Sequence, residues 1–203
     1  MGEGVPRVEG VPSAVIVEYD PSWPVRAHHL LEEVRAAFSV LPGADGFAYE
    51  HIGSTSVPGL GAKPVVDLQV CLPDLPTRDE SAALLASTPF VPALGSRPDS
   101  PGVHRDARRP GEHADAVYEK RLFHIPDSAI LHVRRADSPF ARFVVDFRDW
   151  LRAHPGQAVR YERIKRDLAG VHAGAADYDD YTRAKTAFFT EIGPELTRWA
   201  AGS

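Results

Sequence analysis

The residues best suited to chemistry lie in one stretch, Tyr49 to Leu72, YEHIGSTSVPGLGAKPVVDLQVCL. Gly53 and Ser54 close an apolar run and open a turn in which Thr55 and Ser56 add two more hydroxyls. Such a turn offers backbone N–H groups without bulky side chains and can cradle a phosphate. In an ordinary turn the same residues would supply only a special backbone angle at Gly53 and caps for their neighbours. Asp67 follows about a dozen residues later, inside the most strand-like run of the chain. Alternation puts Val65, Asp67, Gln69 and Cys71 on one face and Val66, Leu68, Val70 and Leu72 on the other. An acid among so many apolar residues must be solvated in a cleft, paired or metal-bound, because an uncompensated buried carboxylate is costly. A phosphate-holding turn ahead of a strand-borne acid is how an acid-bound Mg²⁺ neutralises a polyphosphate for in-line displacement. Mg²⁺ or Mn²⁺ is therefore the expected cofactor. Lys63, just before the strand, either pairs with phosphate or is a solvated charge.

His51, His124 and His132 bear comparison with Asp67. His51 shares strand parity with Tyr49 and Gly53, and His132 shares a face with Arg134, so either can be placed on the Asp67 side of a common sheet. Asp67 and His132 then make a catalytic pair, and Asp67, His51 and His132 a metal-ligand set. The alternative is three unrelated histidines hydrogen-bonded at strand edges. Arg121, Arg134, Tyr161, Lys165 and Lys185 offer a basic wall for an anion, although a surface ion pair is the plainer reading of each alone.

These residues need elements to hold them. Residues 1–13 are rich in Gly and Pro and are expected to be a flexible lead-in, with a single domain over 14–203. Val15 to Val17 reads as a short strand, and Asp20 or Ser22 as the N-cap of a helix carrying Leu30, Leu31, Val34, Ala37 and Phe38. Trp23 is expected to pack that helix down. Asp79 to Ser87 reads as a short helix and Phe90 to Leu94 as a strand or extended connection. Residues 95–116 form a long loop whose Arg97, Arg105, Arg108 and Arg109 reach a polyanion or simply lie on the surface. Val117–Ile125 and Ala129–Arg134 predict an antiparallel hairpin. Helices are expected from Ser138, over Val159–Leu168 and over Tyr178–Trp199, the last broken or kinked at Gly193-Pro194. The pattern is α+β, a mixed sheet covered mainly on one side.

The chain has 203 residues, 43% of them hydrophobic, and a formal net charge of -5. That length suits one sizeable core, and the charge argues against a dedicated nucleic-acid coat. Cys71, the only cysteine, excludes a disulfide framework and a thiolate metal site, and reads as a buried inert thiol. No run approaches the roughly 20 apolar residues needed to cross a bilayer, and no secretory signal pattern opens the chain, so a cytoplasmic location is expected.

The run HIGSTSVPGLGAKPVVDLQV, preceded by YDPSWP and followed by KRLFHIPDSAILHV and FRDWLRAHP, resembles the GrpB family from about Val15 to Ile192. The resemblance implies a nucleotidyltransferase-like fold, a short mixed β-sheet flanked by α-helices with a C-terminal helical segment. It also implies a link to coenzyme A biosynthesis, since family members occur fused to dephospho-CoA kinase. On the superfamily pattern, Gly53 and Ser54 carry the Gly-Ser signature and Asp67 the first metal acid. The second acid falls where this chain has Gln69, and the third near His132 and Arg134. A two-metal mechanism is thus not implied. The expected ligand is a nucleotide or another phosphorylated small molecule, bound at Gly53, Ser54, Thr55, Ser56, Lys63, Gln69, Arg121, Arg134, Tyr161 and Lys165, with nucleotidyl transfer to a small acceptor as its further consequence. The alternatives are a non-catalytic accessory module and an enzyme with a His/Asp metal site.

Overall fold

The computed structural model describes residues 15–94, 102–171 and 186–202. The expected readings of residues 1–13, Arg97, Tyr178 and Lys185 lie outside them. Five strands make one mixed sheet: β1 (Ala48–Ile52), β2 (Val66–Leu72), β3 (Val91–Pro92), β4 (Lys120–Ile125) and β5 (Ala129–Arg135), ordered β1-β2-β5-β4-β3. β2 and β5 are parallel, and the other neighbours are antiparallel. A parallel pair needs a long crossover, and the chain supplies one between Leu72 and Ala129 that includes a helix and the strands β3 and β4. The expected 49–72 and 117–134 units both form antiparallel pairs.

The helices are α1 (Ser22–Phe38), α2 (Arg78–Leu84), α3 (Pro139–Ala153), α4 (Pro155–Val171) and α5 (Thr186–Ala201). Trp23, Ala27, Leu30, Leu31, Val34 and Phe38 recur at helical spacing and are buried. They pack on Val66, Leu68 and Val70 of β2 and Leu131 and Val133 of β5. Each large apolar side chain so buried contributes about 1.5–3 kcal/mol. The expected N-cap at Asp20 or Ser22 is corrected: Pro21 holds that position without a side-chain cap, and Asp20 Oδ1 accepts from the Ser22 amide at 2.8 Å in a turn just ahead of the helix. α2 opens on a reciprocal cap in which Thr77 and Glu80 bond each other's amides. A second core joins Phe143, Phe147, Trp150 and Leu151 of α3 to Tyr161 of α4 and Phe188, Ile192 and Leu196 of α5, with Val57 and Leu60 from the turn after β1.

Three further expectations are corrected. The strand at Val15–Val17 is a single bridge, Val17 to Ala62. The helix expected over Asp79–Ser87 ends at Leu84, and a tighter 3₁₀ turn takes Leu85–Ser87. Gly193-Pro194 does not break α5, which runs through Pro194. Ile192 and Leu196, buried on either side of the proline, hold the helix against the aromatic core, and Thr197 Oγ1 donates to the Gly193 carbonyl at 2.9 Å. Packing outweighs the lost amide there.

Candidate functional site

Directly paired residues project to the same side of a sheet, and the register here separates two faces. Asp67, Gln69 and Cys71 pair with Ile130, His132 and Arg134, while Lys120 and Leu122 pair with Arg134 and His132. This polar face lies opposite the one that packs on α1. Into it comes Asp106, carried by the segment that runs antiparallel to Glu119 at Arg105.

Asp106 and the basic pair form a buried ionic cluster. Arg134 Nε donates to Asp106 Oδ2 at 2.7 Å and Nη2 to Oδ1 at 3.1 Å, and Lys120 Nζ donates to Oδ1 at 2.8 Å. All three side chains are at most 3% exposed. Burial acts to raise the Asp106 pKa, but Arg134 and then Lys120 outweigh it and hold the carboxyl below its ordinary value. Burial pushes the Lys120 ammonium down to about 8 against the opposing pull of Asp106. Arg134 also donates from Nη1 to Gln69 Oε1 at 2.8 Å and lies over the Phe140 ring. Gln69 Nε2 donates in turn to the Ala141 carbonyl of α3 at 3.2 Å. Gln69 and Arg134 are therefore committed inward and tie the sheet to α3.

At the open end of the cluster stand Asp67 and His132. Their side chains are 33% and 16% exposed, and His132 Nε2 is 3.9 Å from Asp67 Oδ1. His132 Nδ1 faces Lys120 Nζ at 3.1 Å and Arg134 Nη2 at 3.2 Å. Burial, then Lys120 and Arg134, push the His132 pKa well down, so the imidazole is neutral. Gly53 touches the same acid. It sits at φ 71°, and a Cβ there would collide with Asp67 Oδ2. Only glycine allows the turn after β1 to approach Asp67 so closely. The turn and the acid, separated in sequence, are thus one place.

A family model described as GrpB protein matches residues 13–195. The chain belongs to the GrpB family. A UPF0157 protein of Halalkalibacterium halodurans is 35% identical over 181 residues, covering 89% of this chain and 80% of that protein. A protein named dephospho-CoA kinase in Mycolicibacterium paratuberculosis is 27% identical over 194 residues, covering 91% of this chain and 46% of the kinase. The chain thus spans about half the length of that kinase. Among solved structures, a conserved GrpB protein from Enterococcus faecalis superposes with a TM-score of 0.64 at 26% identity, covering 91% of this chain and 99% of that one.

In this GrpB fold the remaining predicted site residues scatter. Thr55 and Ser56 are buried: Thr55 Oγ1 bonds His51 Nε2 at 2.9 Å, and Ser56 Oγ donates back to the Gly53 carbonyl at 2.5 Å. Ser54 alone of the three hydroxyl residues is not buried. Lys63 lies between the Ala62 bridge and β2, half-buried. His51 pairs with Leu68, on the face opposite Asp67, and burial, then Arg152 and Arg148, push its pKa down to about 4. Arg121 projects away from the polar face and donates to the Pro76 carbonyl at 2.8 Å. Tyr161 packs in the aromatic core, and Lys165 Nζ donates to the Gly61 carbonyl at 2.6 Å. His124 shares the polar face through its pairing with Ile130. Cys71 is buried, and burial raises its thiol to about 11, as expected of an inert cysteine.

The expected metal set is corrected by this placement. His51 is on the wrong face, Gln69 is spent on Arg134 and Ala141, and His132 Nδ1 lies against the two cations Lys120 and Arg134. Among the described residues no group of three or more His, Cys, Asp or Glu side chains could hold a metal ion. The donor set does not fit a resident Mg²⁺ or Mn²⁺, which take several hard oxygens. Lys120 and Asp106 were missed as site residues. Lys120 shares parity with Leu122 and His124, a signal present in the sequence, whereas Asp106 lies in a loop with no periodicity to place it.

Proposed function

We propose that the polar face binds a phosphorylated small molecule, a nucleotide foremost, with phosphate at the Gly53–Ser54 turn and Asp67 and His132 beside it. The observation that carries this is the close approach of Gly53 to Asp67, which brings the Gly53–Ser54 turn and a partly exposed acid together beside a neutral histidine. The kinase-named relatives, about twice as long, favour a metabolite of the coenzyme A and adenine nucleotide class. Gln69 and Arg134, where a nucleotidyltransferase pattern carries acids, favour binding over nucleotidyl transfer.

Melting measured with ATP, GTP, CTP, UTP and dephospho-CoA, each with and without Mg²⁺, tests this. A ligand at a hundredfold its dissociation constant adds about 2.7 kcal/mol, or a rise of about 5–10 °C for a chain of this size. The shift is expected to shrink in Ser54→Ala/Lys63→Ala. Equal shifts in that variant and the wild type would refute the phosphate cradle. Robust Mg²⁺-dependent pyrophosphate release, abolished by Asp67→Asn, would replace the binding reading with catalysis.

A further inference from the structure

The polar face contains more information about its ligand than the turn does. His132 Nδ1 lies 3.1 Å from the Lys120 ammonium and 3.2 Å from the Arg134 guanidinium. A guanidinium has hydrogens to donate, no lone pair to offer, and keeps its charge throughout the accessible pH range; a charged ammonium is likewise a donor only. Nδ1 must therefore be the acceptor, and a neutral imidazole then carries its single proton on Nε2. The depressed basicity of the ring agrees, since a second proton on Nδ1 would point at two cations.

Nε2–H faces Asp67 Oδ1 across 3.9 Å, which is too long for a direct hydrogen bond. One oxygen atom set beside that gap can reach both. On one side it meets a donor without a lone pair, on the other a carboxylate that only accepts. A phosphate oxygen would satisfy His132 but bring its charge against Asp67. A divalent metal would satisfy Asp67 but find a hydrogen on Nε2. A hydroxyl or a water matches both sides, accepting from His132 and donating to Asp67.

We propose that His132 and Asp67 form a donor–acceptor pair that holds a hydroxyl oxygen of the ligand, with the His132 proton fixed on Nε2 by Lys120 and Arg134. Lys120 and Arg134, both anchored by Asp106, are positioning residues. The phosphate of the same ligand falls to the Gly53–Ser54 turn, so the class selected is a phosphorylated alcohol, such as a sugar or nucleoside phosphate. The ligand's identity rests on the proposed function above, but the state of His132 does not, and the test is made without ligand.

Nitrogen NMR of the histidine-labelled protein, with His132 assigned by difference from His132→Gln, reads the ring directly. The expected spectrum at neutral pH has a protonated Nε2 and a bare Nδ1, unmoved by equimolar Zn²⁺. A proton on Nδ1, an imidazolium, or a Zn²⁺-induced shift at Nε2 would overturn the proposal. In Lys120→Met/Arg134→Met the ring is expected to populate both tautomers, and a single Nε2–H form there would put the lock elsewhere; the wild-type spectrum decides if that variant does not fold. A high-resolution crystal structure of the ligand-free protein is expected to show one solvent oxygen within hydrogen-bond distance of both Nε2 and Asp67 Oδ1. Solvent bonded to only one of them, or none, would refute the hydroxyl pair. Failure to bind any nucleotide, with His132 as expected, would count against the proposed ligand alone.

Discussion

Asp106→Asn tests whether one loop carboxylate holds the polar face together. Asp106 accepts from Arg134 at 2.7 and 3.1 Å and from Lys120 at 2.8 Å, with all three groups out of water. Removing its charge strands two buried cations side by side, and breaking a buried pair in this way costs about 3–5 kcal/mol. At about 2–4 °C per kcal/mol for a chain of this size, the melting temperature should fall by about 6–20 °C. Lys120→Met should cost much less, about 1 kcal/mol, because Arg134 still grips Asp106 with two hydrogen bonds and the burial of one ammonium is relieved. Urea unfolding followed by fluorescence of the three tryptophans at pH 7 measures both. The pH dependence has a defined sign. The folded pKa of Asp106 is lowered, so its stabilisation is fully present above about 3.9, the ordinary aspartate value, and is lost as pH falls through the lower folded value. The gap between wild type and Asp106→Asn should therefore close in acid. A cost for Asp106→Asn below about 1 kcal/mol, or no larger than that of Lys120→Met, would mean that water reaches the cluster and that Asp106 is not its keystone.

Gly53→Ala should destabilise the fold by at least about 1–3 kcal/mol, from the positive φ alone, and also abolish ligand-induced stabilisation, because the new methyl would displace Asp67; unchanged ligand response by melting would contradict the shared site. Gln69→Glu restores the second acid of the superfamily pattern, yet its carboxylate would face the Ala141 carbonyl without a donor, so a loss of about 1–3 kcal/mol and no gain in Mn²⁺ affinity by titration calorimetry are expected. His51, whose pKa is pushed to about 4, must stay neutral in the folded state; stability should drop as pH falls from about 6.5 towards 4, by up to about 3 kcal/mol, and His51→Gln should flatten that part of the urea-unfolding profile.

The fold was legible wherever periodicity reported burial. Leu30, Leu31, Val34 and Phe38 at helical spacing, and Val66, Leu68, Val70 and Leu72 at every second position, placed α1 and β2 and the core between them. The site was legible only along single strands. Parity correctly grouped Asp67 with Gln69 and His132 with Arg134, but it does not fix how two strands align, and so His51 was assigned to the wrong side. Only the pairing of His51 with Leu68 decides that. Tyr161 and Lys165 share a helix whose weak amphipathicity hid which face was buried, and both turned inward. Pro194 did not break α5 because tertiary packing at Ile192 and Leu196 opposed its local propensity.

The departures from the acid pattern are physically linked. A glutamate at position 69 could pair with Arg134, but Arg134 already holds Asp106, and its remaining nitrogen needs a neutral acceptor that can also donate to Ala141. Glutamine meets both requirements and glutamate only one. Arg134 on β5 in turn demands a carboxylate, which arrives from the loop at Asp106 instead of from a strand. The carboxylate is spent on neutralising cations, and those cations force the His132 proton toward Asp67. At the buried centre of this face two fixed cations, Arg134 and Lys120, are arranged around one acid, Asp106. Of the two partly exposed carboxylates on the face, Glu50, which pairs with Gln69, is bonded to Arg148, and Asp67 stands beside His132 as a hydrogen-bond acceptor.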